Sequence, residues 1–481
     1  MQVLNFFKII FAILAIVATT FLIPVCTAVY CSEFQMILPF VIPMVTTWIL
    51  FFIVYLITKK IPVKLTIKST FVIVASAWIS CSIFGSIPFM LSGFFPTVTD
   101  AFFESVSGFT TTGATILNDV EILPRSLNLW RCQTHWLGGM GIVALTVALF
   151  PLLGVGGFQL IKAETTGPEK GKVTPKITTT AKVLWLIYVF LTAIQCVLLK
   201  IAGMDFIDAL SHAFSTLGSG GFSTKNLSIG FYNSAAIDCI CTVFMFLAGV
   251  NFTMFFYLFK GKLNEIKKNS EFRAYATIVS SFILAITLFT LNSYKSFFTA
   301  LRYASFQVAS IISTTGFSTF DYTLWVPAAQ FFIFVLFFIG GSSGSTGGGI
   351  KVVRWVILTK QLQNELMKTL HPHGIFTIRL NQKVGRKDVV FSVAAFIACY
   401  ALVVLITTFA GTCCNLDIFT AFSGALSMIA NIGPAFGSLG PSCNYAGIAQ
   451  GLKWIYMFTM LAGRLELYTM VIFMFSDFWR K

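Results

Sequence analysis

Nine stretches of this chain are almost purely apolar and close to the length at which a helix crosses a bilayer. They are Phe6–Thr27, Ile37–Ile57, Phe71–Leu91, Trp136–Leu153, Val183–Ala202, Ile237–Phe259, Ala274–Leu291, Val389–Ala410 and Trp454–Phe475. About 20 helical residues span the hydrocarbon. In that medium every backbone N–H and C=O must find its partner within the protein, and runs of this length do so as helices. A tenth run, Val326–Ile339, is too short alone and leads into a glycine tract. Only 11% of the 481 residues are charged, where a soluble domain carries roughly 25%. The fold class expected is therefore an all-α polytopic membrane protein with ten crossings.

A net charge of +15 suggests nucleic acid until its distribution is read. Basic residues collect in alternate loops: Lys59–Lys68, Lys162–Lys182, Lys260–Arg273 and Lys351–Lys387, which with Lys8, Arg480 and Lys481 hold 25 of the 33. Ten of the 18 acids, from Glu33 to Asp417, fall in the other loops. This is the positive-inside pattern. It places both termini in the cytoplasm, explains the charge without a nucleic-acid partner, and makes the lipid bilayer the first partner. The first run carries Lys8 near its start, as a signal peptide would, but lacks a clean small-x-small cleavage site, so it reads as a retained helix. Most of the 11 cysteines lie inside apolar runs, although Cys413, Cys414 and Cys443 fall on the predicted outer side, where a disulfide is open.

Four outer segments share one register: 101–115, 209–223, 304–318 and 421–435. Counting back from Gly113, Gly221, Gly316 and Gly433, the residue at −12 is Ala each time and the residue at −6 is Ser each time (Ser107, Ser215, Ser310, Ser427). A second mark follows downstream: Leu137-Gly-Gly, Leu247-Ala-Gly, Ile339-Gly-Gly and Leu461-Ala-Gly. The unit is helix, short outer segment, glycine, helix. Each unit crosses twice, so all four share one orientation and surround an axis along the membrane normal. Inverted repeats need an odd number of crossings per unit. The units are 69–182, 183–273, 274–388 with the glycine tract, and 389–481, after an N-terminal hairpin 1–68.

About 12 residues precede each glycine, enough for three helical turns and too few to span. A short helix entering from outside points its partly negative C-terminus at the axis, which favours a cation. Glycine then lets the chain leave the helix with its carbonyls inward, and rings of carbonyls replace the hydration shell in potassium filters. A lone Thr-Thr-Gly would be an ordinary helix cap; four copies in register point to a filter.

On these motifs the chain resembles the Trk/Ktr/HKT superfamily of cation transporters over essentially its whole length, and its TrkH branch in particular. Ktr-type subunits lack the two leading helices that Phe6–Ile57 provides. The resemblance implies a potassium-binding filter of Thr111, Thr112, Gly113 with Ala114; Ser219, Gly220, Gly221 with Phe222; Thr314, Thr315, Gly316 with Phe317; and Asn431, Ile432, Gly433 with Pro434. No Gly-Tyr-Gly follows, so rubidium and some sodium are expected to pass. It further implies potassium as the transported substrate, no covalently bound cofactor, a homodimer in the bacterial inner membrane, and a cytoplasmic nucleotide-binding regulatory ring resembling TrkA. Nucleotide is expected only on that partner.

Two features suggest a gate. Gly340, Gly341, Ser342, Ser343, Gly344, Ser345, Thr346, Gly347, Gly348 and Gly349 interrupt the third unit near mid-membrane, where irregular backbone must face water or protein. This is a mobile intramembrane loop or a plain helix kink; the resemblance implies a gating loop. Arg464 stands one residue after the shared downstream glycine, level with Met140, Val250 and Ser342. A charge there costs about 2.5–3.5 kcal/mol on insertion scales. It is either an electrostatic barrier facing the pathway or a structural partner of Glu466 or of carbonyls freed by the loop. Glu104, His212 and Gln307, with Gly424, share the −9 position and read as packing or vestibule groups, and His371-Pro-His373 has no acid or Cys beside it in sequence to complete a transition-metal site. No phosphate-binding lysine loop or nucleophile elbow is present, so an enzyme is not expected. The function expected is gated potassium uptake. Its rivals are a proton- or sodium-coupled symporter on the same scaffold and a non-transporting receptor or enzyme.

Overall fold

The computed structural model describes residues 2–59, 61, 66–141, 177–380, 383–384 and 387–480. The basic residues Lys60, Lys64, Lys162, Lys170, Lys172, Lys176, Arg386 and Lys481 lie outside them, as do the last twelve residues of the run Trp136–Leu153.

Four times the chain runs through a long apolar helix, a short helix and a second helix. The long helices are Ile67–Ser92, Ile177–Ile201, Ser270–Tyr294 and Lys387–Cys413. The short ones are Val98–Phe109, Phe206–Gly218, Phe297–Ile312 and Ile418–Ala430. Three of these start on a side-chain cap: Thr97 accepts from the Asp100 N–H, Asp205 from Ile207 and Asp417 from Thr420. Such caps satisfy N–H groups that the first turn leaves orphaned. An N-terminal pair, Gln2–Tyr30 broken at Phe21 and Ile37–Thr58, precedes the four units. Between units three and four, Arg379–Leu380 pairs antiparallel with Lys383–Val384.

The second helices depart from the sequence expectation. Continuous spans were expected through Ile237–Phe259 and Trp454–Phe475. Instead Ala235–Ala248 bends by 97° into Phe252–Phe259, and Gln450–Arg464 bends by 116° into Tyr468–Met474. The third unit stops at Leu336 and resumes at Val352, and the first stops at Gly139. All four breaks fall at the downstream glycine mark. Packing is close there: a Cβ on Gly138 would collide with the Phe109 carbonyl, one on Gly463 with the Ile429 carbonyl, and one on Gly249 with the Tyr275 hydroxyl. Among the described residues six helices are long and apolar enough to cross, or eight with the two bent pairs. The remaining two expected crossings are the loop-broken third-unit helix and the run that leaves the described residues.

Lipid tails are as apolar as the side chains, so packing rather than water exclusion joins membrane helices. The second helix of each unit lies against the short helix of the next. Arg125–Gly139 packs on Phe206–Gly218, Ala235–Ala248 on Phe297–Ile312, and Gln450–Arg464 returns to Val98–Phe109. In the third unit Phe334 meets Phe419 at 5.7 Å and Phe422 at 6.2 Å. The N-terminal pair docks on unit one through Phe21, whose ring lies 4.6 Å from Trp130. All of the described cysteines are free, so the disulfide left open among Cys413, Cys414 and Cys443 is absent.

Candidate ion-conducting site

The four short helices end identically. At −2 from the glycine stands a residue in the left-handed region: Thr111 (φ 57°), Ser219 (57°), Thr314 (59°) and Asn431 (57°). The N–H at −2 donates to the carbonyl at −5, at 3.0–3.3 Å. The N–H at −1 donates to the −6 serine carbonyl: Thr112 to Ser107 at 2.9 Å, Gly220 to Ser215 at 2.9 Å, Thr315 to Ser310 at 2.8 Å, Ile432 to Ser427 at 3.0 Å. This is a complete Schellman end, with a β-branched or polar residue where glycine usually stands. Left-handed backbone without glycine costs of order 1–3 kcal/mol and persists only where surroundings impose it. Here it recurs four times at one register.

The glycines follow at φ 77°, 79°, 80° and 96°, torsions that a side chain resists. Space forbids one as well. A Cβ on Gly113 would strike the Gly220 carbonyl, one on Gly221 that of Thr315, one on Gly316 that of Ile432, and one on Gly433 that of Thr112. Each glycine abuts the −1 carbonyl of the next unit, and the fourth closes on the first. The four segments form one ring.

That ring is rich in unbonded acceptors. Among the described residues, no hydrogen bond reaches the carbonyls of Thr111, Thr112, Ser219, Gly220, Thr314, Thr315, Asn431 or Ile432, although all eight residues are buried. More than 90% of buried backbone groups are ordinarily paired. Eight such orphans, on two successive residues of each segment, are acceptors open to another partner, and rings of carbonyls can replace a cation's hydration shell. Just past the glycines, carbonyls are taken in units three and four: Phe317 O accepts from Ser310 Oγ at 2.6 Å and Pro434 O from Ser427 Oγ at 2.9 Å.

The −9 residues hold the chain as it leaves the ring. Glu104 accepts from Thr115 Oγ1 at 2.9 Å and from the Ile116 N–H at 3.1 Å. His212 Nε2 meets Ser223 Oγ at 2.9 Å, and Gln307 donates to Phe320 O at 2.9 Å. In unit four, at Gly424, the neighbouring Ser423 Oγ accepts the Phe436 N–H at 3.2 Å. The packing reading of −9 thus has a specific content. Buried Arg131 adds an ion pair to Glu104 at 2.7 Å. On the outer surface, Asn226 and the Glu121 N–H hold the Asp119 carboxyl below the usual carboxylate range.

Directly beneath the ring lies the glycine tract, non-helical from Phe337 to Lys351. Gly340 donates to Ile350 O and Val352 to Gly341 O, closing its neck at 2.9 and 3.2 Å. Ser342 donates to Gly249 O at 2.8 Å, Phe252 to Gly344 O at 3.1 Å, and Ser345 to Ser342 O at 3.1 Å. Thr346 Oγ1 meets Ser219 Oγ at 2.7 Å, and the Gly348 N–H donates to Thr314 Oγ1 at 2.6 Å. Gly347 is pressed against the Ser313 carbonyl, Gly348 against that of Ala430, and Gly349 against Gly340. The Ser343 N–H donates to Glu271 Oε1 at 2.6 Å, and Lys351 Nζ donates to Gly347 O. The kink alternative fails, because a folded loop fills this space.

Arg464 completes the layer. Its guanidinium donates to Thr111 Oγ1 at 3.1 Å, Thr346 O at 2.8 Å, Gly138 O at 2.6 Å and Gly139 O at 2.9 Å. It therefore touches the ring's lower edge and the loop together. Glu466, one of its two offered structural partners, is bonded instead to Arg354 at 2.5 Å. The reason is the bend: Glu466 and Leu467 have φ of 55° and 50°, turning the chain just after Arg464. The other offered partner, loop carbonyls, is met through Thr346.

Every ring and loop residue singled out in the sequence thus falls in one continuous region. Sequence reasoning missed Glu271, whose carboxylate also takes the Val353 N–H at 3.2 Å, and so ties the loop to the start of the following helix. Its only signal was a lone acid opening an apolar helix.

Relatives agree with this architecture. The TrkH family profile, described as a cation transport protein, matches residues 37–481. The Trk system potassium uptake protein TrkH of Halomonas elongata is 39% identical over 416 residues, 85% of this chain and 86% of that one. TrkG of Escherichia coli K12, also a Trk system potassium uptake protein, is 33% identical over 421 residues, 85% of each chain. The crystal structure of the potassium transporter TrkH from Vibrio parahaemolyticus matches with a TM-score of 0.86 at 35% identity, covering 100% of both chains. With helices, breaks and ring all arranged as four like units, and a profile running from residue 37 to the last, the chain belongs to the TrkH family of cation transport proteins.

Proposed function

We propose that this chain conducts potassium into the bacterial cell through the ring of four glycine-centred segments. The observation that carries the reading is the pair of stacked carbonyl layers, buried and unbonded among the described residues, at the Schellman ends of four helices. Two complete layers with no Gly-Tyr-Gly extension support a selective but imperfect filter, one that passes rubidium and some sodium. The glycine loop and Arg464 are the proposed gate, since together they occupy the space below the ring.

The finer organisation belongs to the same proposal: ten crossings, the unit boundaries given above, both termini cytoplasmic, the inner membrane, and a homodimer with one pathway per protomer. A cytoplasmic ring resembling TrkA, carrying the nucleotide, controls the gate. A proton-coupled symporter would need a titrating carboxylate on the path. Among the described residues the buried acids are otherwise engaged: Asp100 with Lys453, Glu104 with Arg131, Asp238 with Arg302, and Glu271 with backbone N–H groups.

The test is flux of potassium, rubidium and sodium into proteoliposomes carrying the purified chain with its partner and nucleotide. Gly113→Ser, Gly221→Ser, Gly316→Ser and Gly433→Ser should each raise sodium relative to potassium. Unchanged ratios in all four variants would remove the filter.

A further inference from the structure

The glycine level of the ring is not fourfold. Among the described residues, the carbonyls of Gly113, Gly221 and Gly316 accept no hydrogen bond, whereas Gly433 O accepts one from the Tyr445 phenol at 2.7 Å. Two further observations set the same glycine apart. Gly433 is buried while the other three are half-buried toward the outer mouth. Its φ is 96°, against 77°, 79° and 80°. At twelve residues past the glycine, where unit four has Tyr445, the other units have Arg125, Asn233 and Ala328. None of these can donate a phenolic hydrogen bond.

Tyr445 is held firmly for this contact. It is 2% exposed, lies 6.2 Å from the Phe103 ring and 6.1 Å from that of Tyr456, and donates its backbone N–H to Thr115 O at 2.8 Å. It therefore spans the seam where unit four closes on unit one. A phenol donor this short draws on the lone pairs that a cation would use, and it fixes the carbonyl against turning inward.

We infer that Tyr445 is a positioning residue that withdraws the Gly433 carbonyl from the outermost potassium layer, leaving that layer with three backbone ligands. This inference rests on the filter reading above. A three-carbonyl layer binds potassium less tightly than a complete one, so the outer end of the ring both accepts and releases the ion readily. Conduction through sites in series needs that weak end.

The experiment is potassium-dependent rubidium flux in proteoliposomes for Tyr445→Phe. The phenyl ring keeps the packing and only the donor is lost. Half-saturating potassium is expected to fall by at least about threefold, because a fourth carbonyl becomes available. Tyr322→Phe is the matched control: Tyr322 donates a phenolic bond of the same 2.7 Å to Ala435 O, two residues beyond the glycine. Its half-saturation should match the wild type. An unchanged value in Tyr445→Phe, or an equal shift in both variants, overturns the inference. Should Tyr445→Phe insert poorly, 3-fluorotyrosine at 445 keeps the side chain and strengthens the donor, so half-saturation should rise; no rise overturns it. If the glycine-to-serine variants alter the potassium-to-sodium ratio while Tyr445→Phe does not shift half-saturation, only this inference falls. If the glycine variants alter nothing, the filter reading falls with it.

Discussion

Arg464 is one positive charge set against a ring of carbonyl oxygens, and its proposed barrier role and its observed hydrogen bonds pull in opposite directions. At a separation of about 6 Å and an effective dielectric of ~20, a second positive charge is disfavoured by about 3 kcal/mol. Arg464→Ala should therefore raise rubidium flux at least about tenfold. The same change leaves the carbonyls of Gly138, Gly139 and Thr346 without this donor, so a modest loss of thermal stability in detergent should accompany it. Because Glu466 pairs with Arg354, adding Glu466→Gln should not restore that stability; rescue would restore the Arg464–Glu466 pairing. Arg464 was legible in the sequence because a charge inside an apolar run is conspicuous. Its partners were not, since nearness along the chain misleads wherever a positive-φ bend turns the backbone.

One side chain ties the middle of the glycine loop to the first turn of the helix that follows it. Glu271 takes the N–H groups of Ser343 and Val353, at 2.6 and 3.2 Å, from the first turn of the long helix Ser270–Tyr294. Hydrogen bonds to a charged group contribute about 1.5–3 kcal/mol. Glu271→Ala should loosen the loop and raise basal flux several-fold without the regulatory partner; wild-type basal flux in a well-inserted variant would exclude it as a tether. Deleting Gly344–Gly348 should go further and weaken the partner's control, provided the variant still inserts. Helix breaks were partly visible in advance. The ten-residue glycine and serine tract announced itself, but Leu247-Ala-Gly and Leu461-Ala-Gly look like unbroken helix. At these places the glycines lie against other elements, Tyr275 at Gly249 and the Ile429 carbonyl at Gly463, contacts that the sequence does not announce. The Glu271 contact joins residues 72 apart, a separation that leaves no periodic trace.

Across the whole molecule, four units become a closed object only if the last meets the first. That seam carries a buried ion pair, Lys453 with Asp100 at 2.7 Å, side chains 4% and 7% exposed. It also carries the Asn431 amide bonded to Thr112 Oγ1 at 2.9 Å. Stranding one buried charge costs about 3–5 kcal/mol. Lys453→Met should therefore lower the unfolding temperature markedly, and Lys453→Met with Asp100→Asn should recover most of it. Equal losses in single and double variants would show that the pair does not secure the closure. The fourfold plan was readable from Ala at −12, Ser at −6 and the glycine, because local geometry repeats wherever one helix end must be built four times. Which unit neighbours which, and Tyr445, were not readable, since the seam joins residues more than 300 apart. One chain supplying all four quarters also has a genetic consequence. In an assembly of identical subunits a codon change alters every quadrant together, but here a mutation touches one quarter and leaves three as templates. Change can therefore proceed by quarter steps, and the glycine level is unequal in one quarter alone, where Gly433 O is bonded to a phenol.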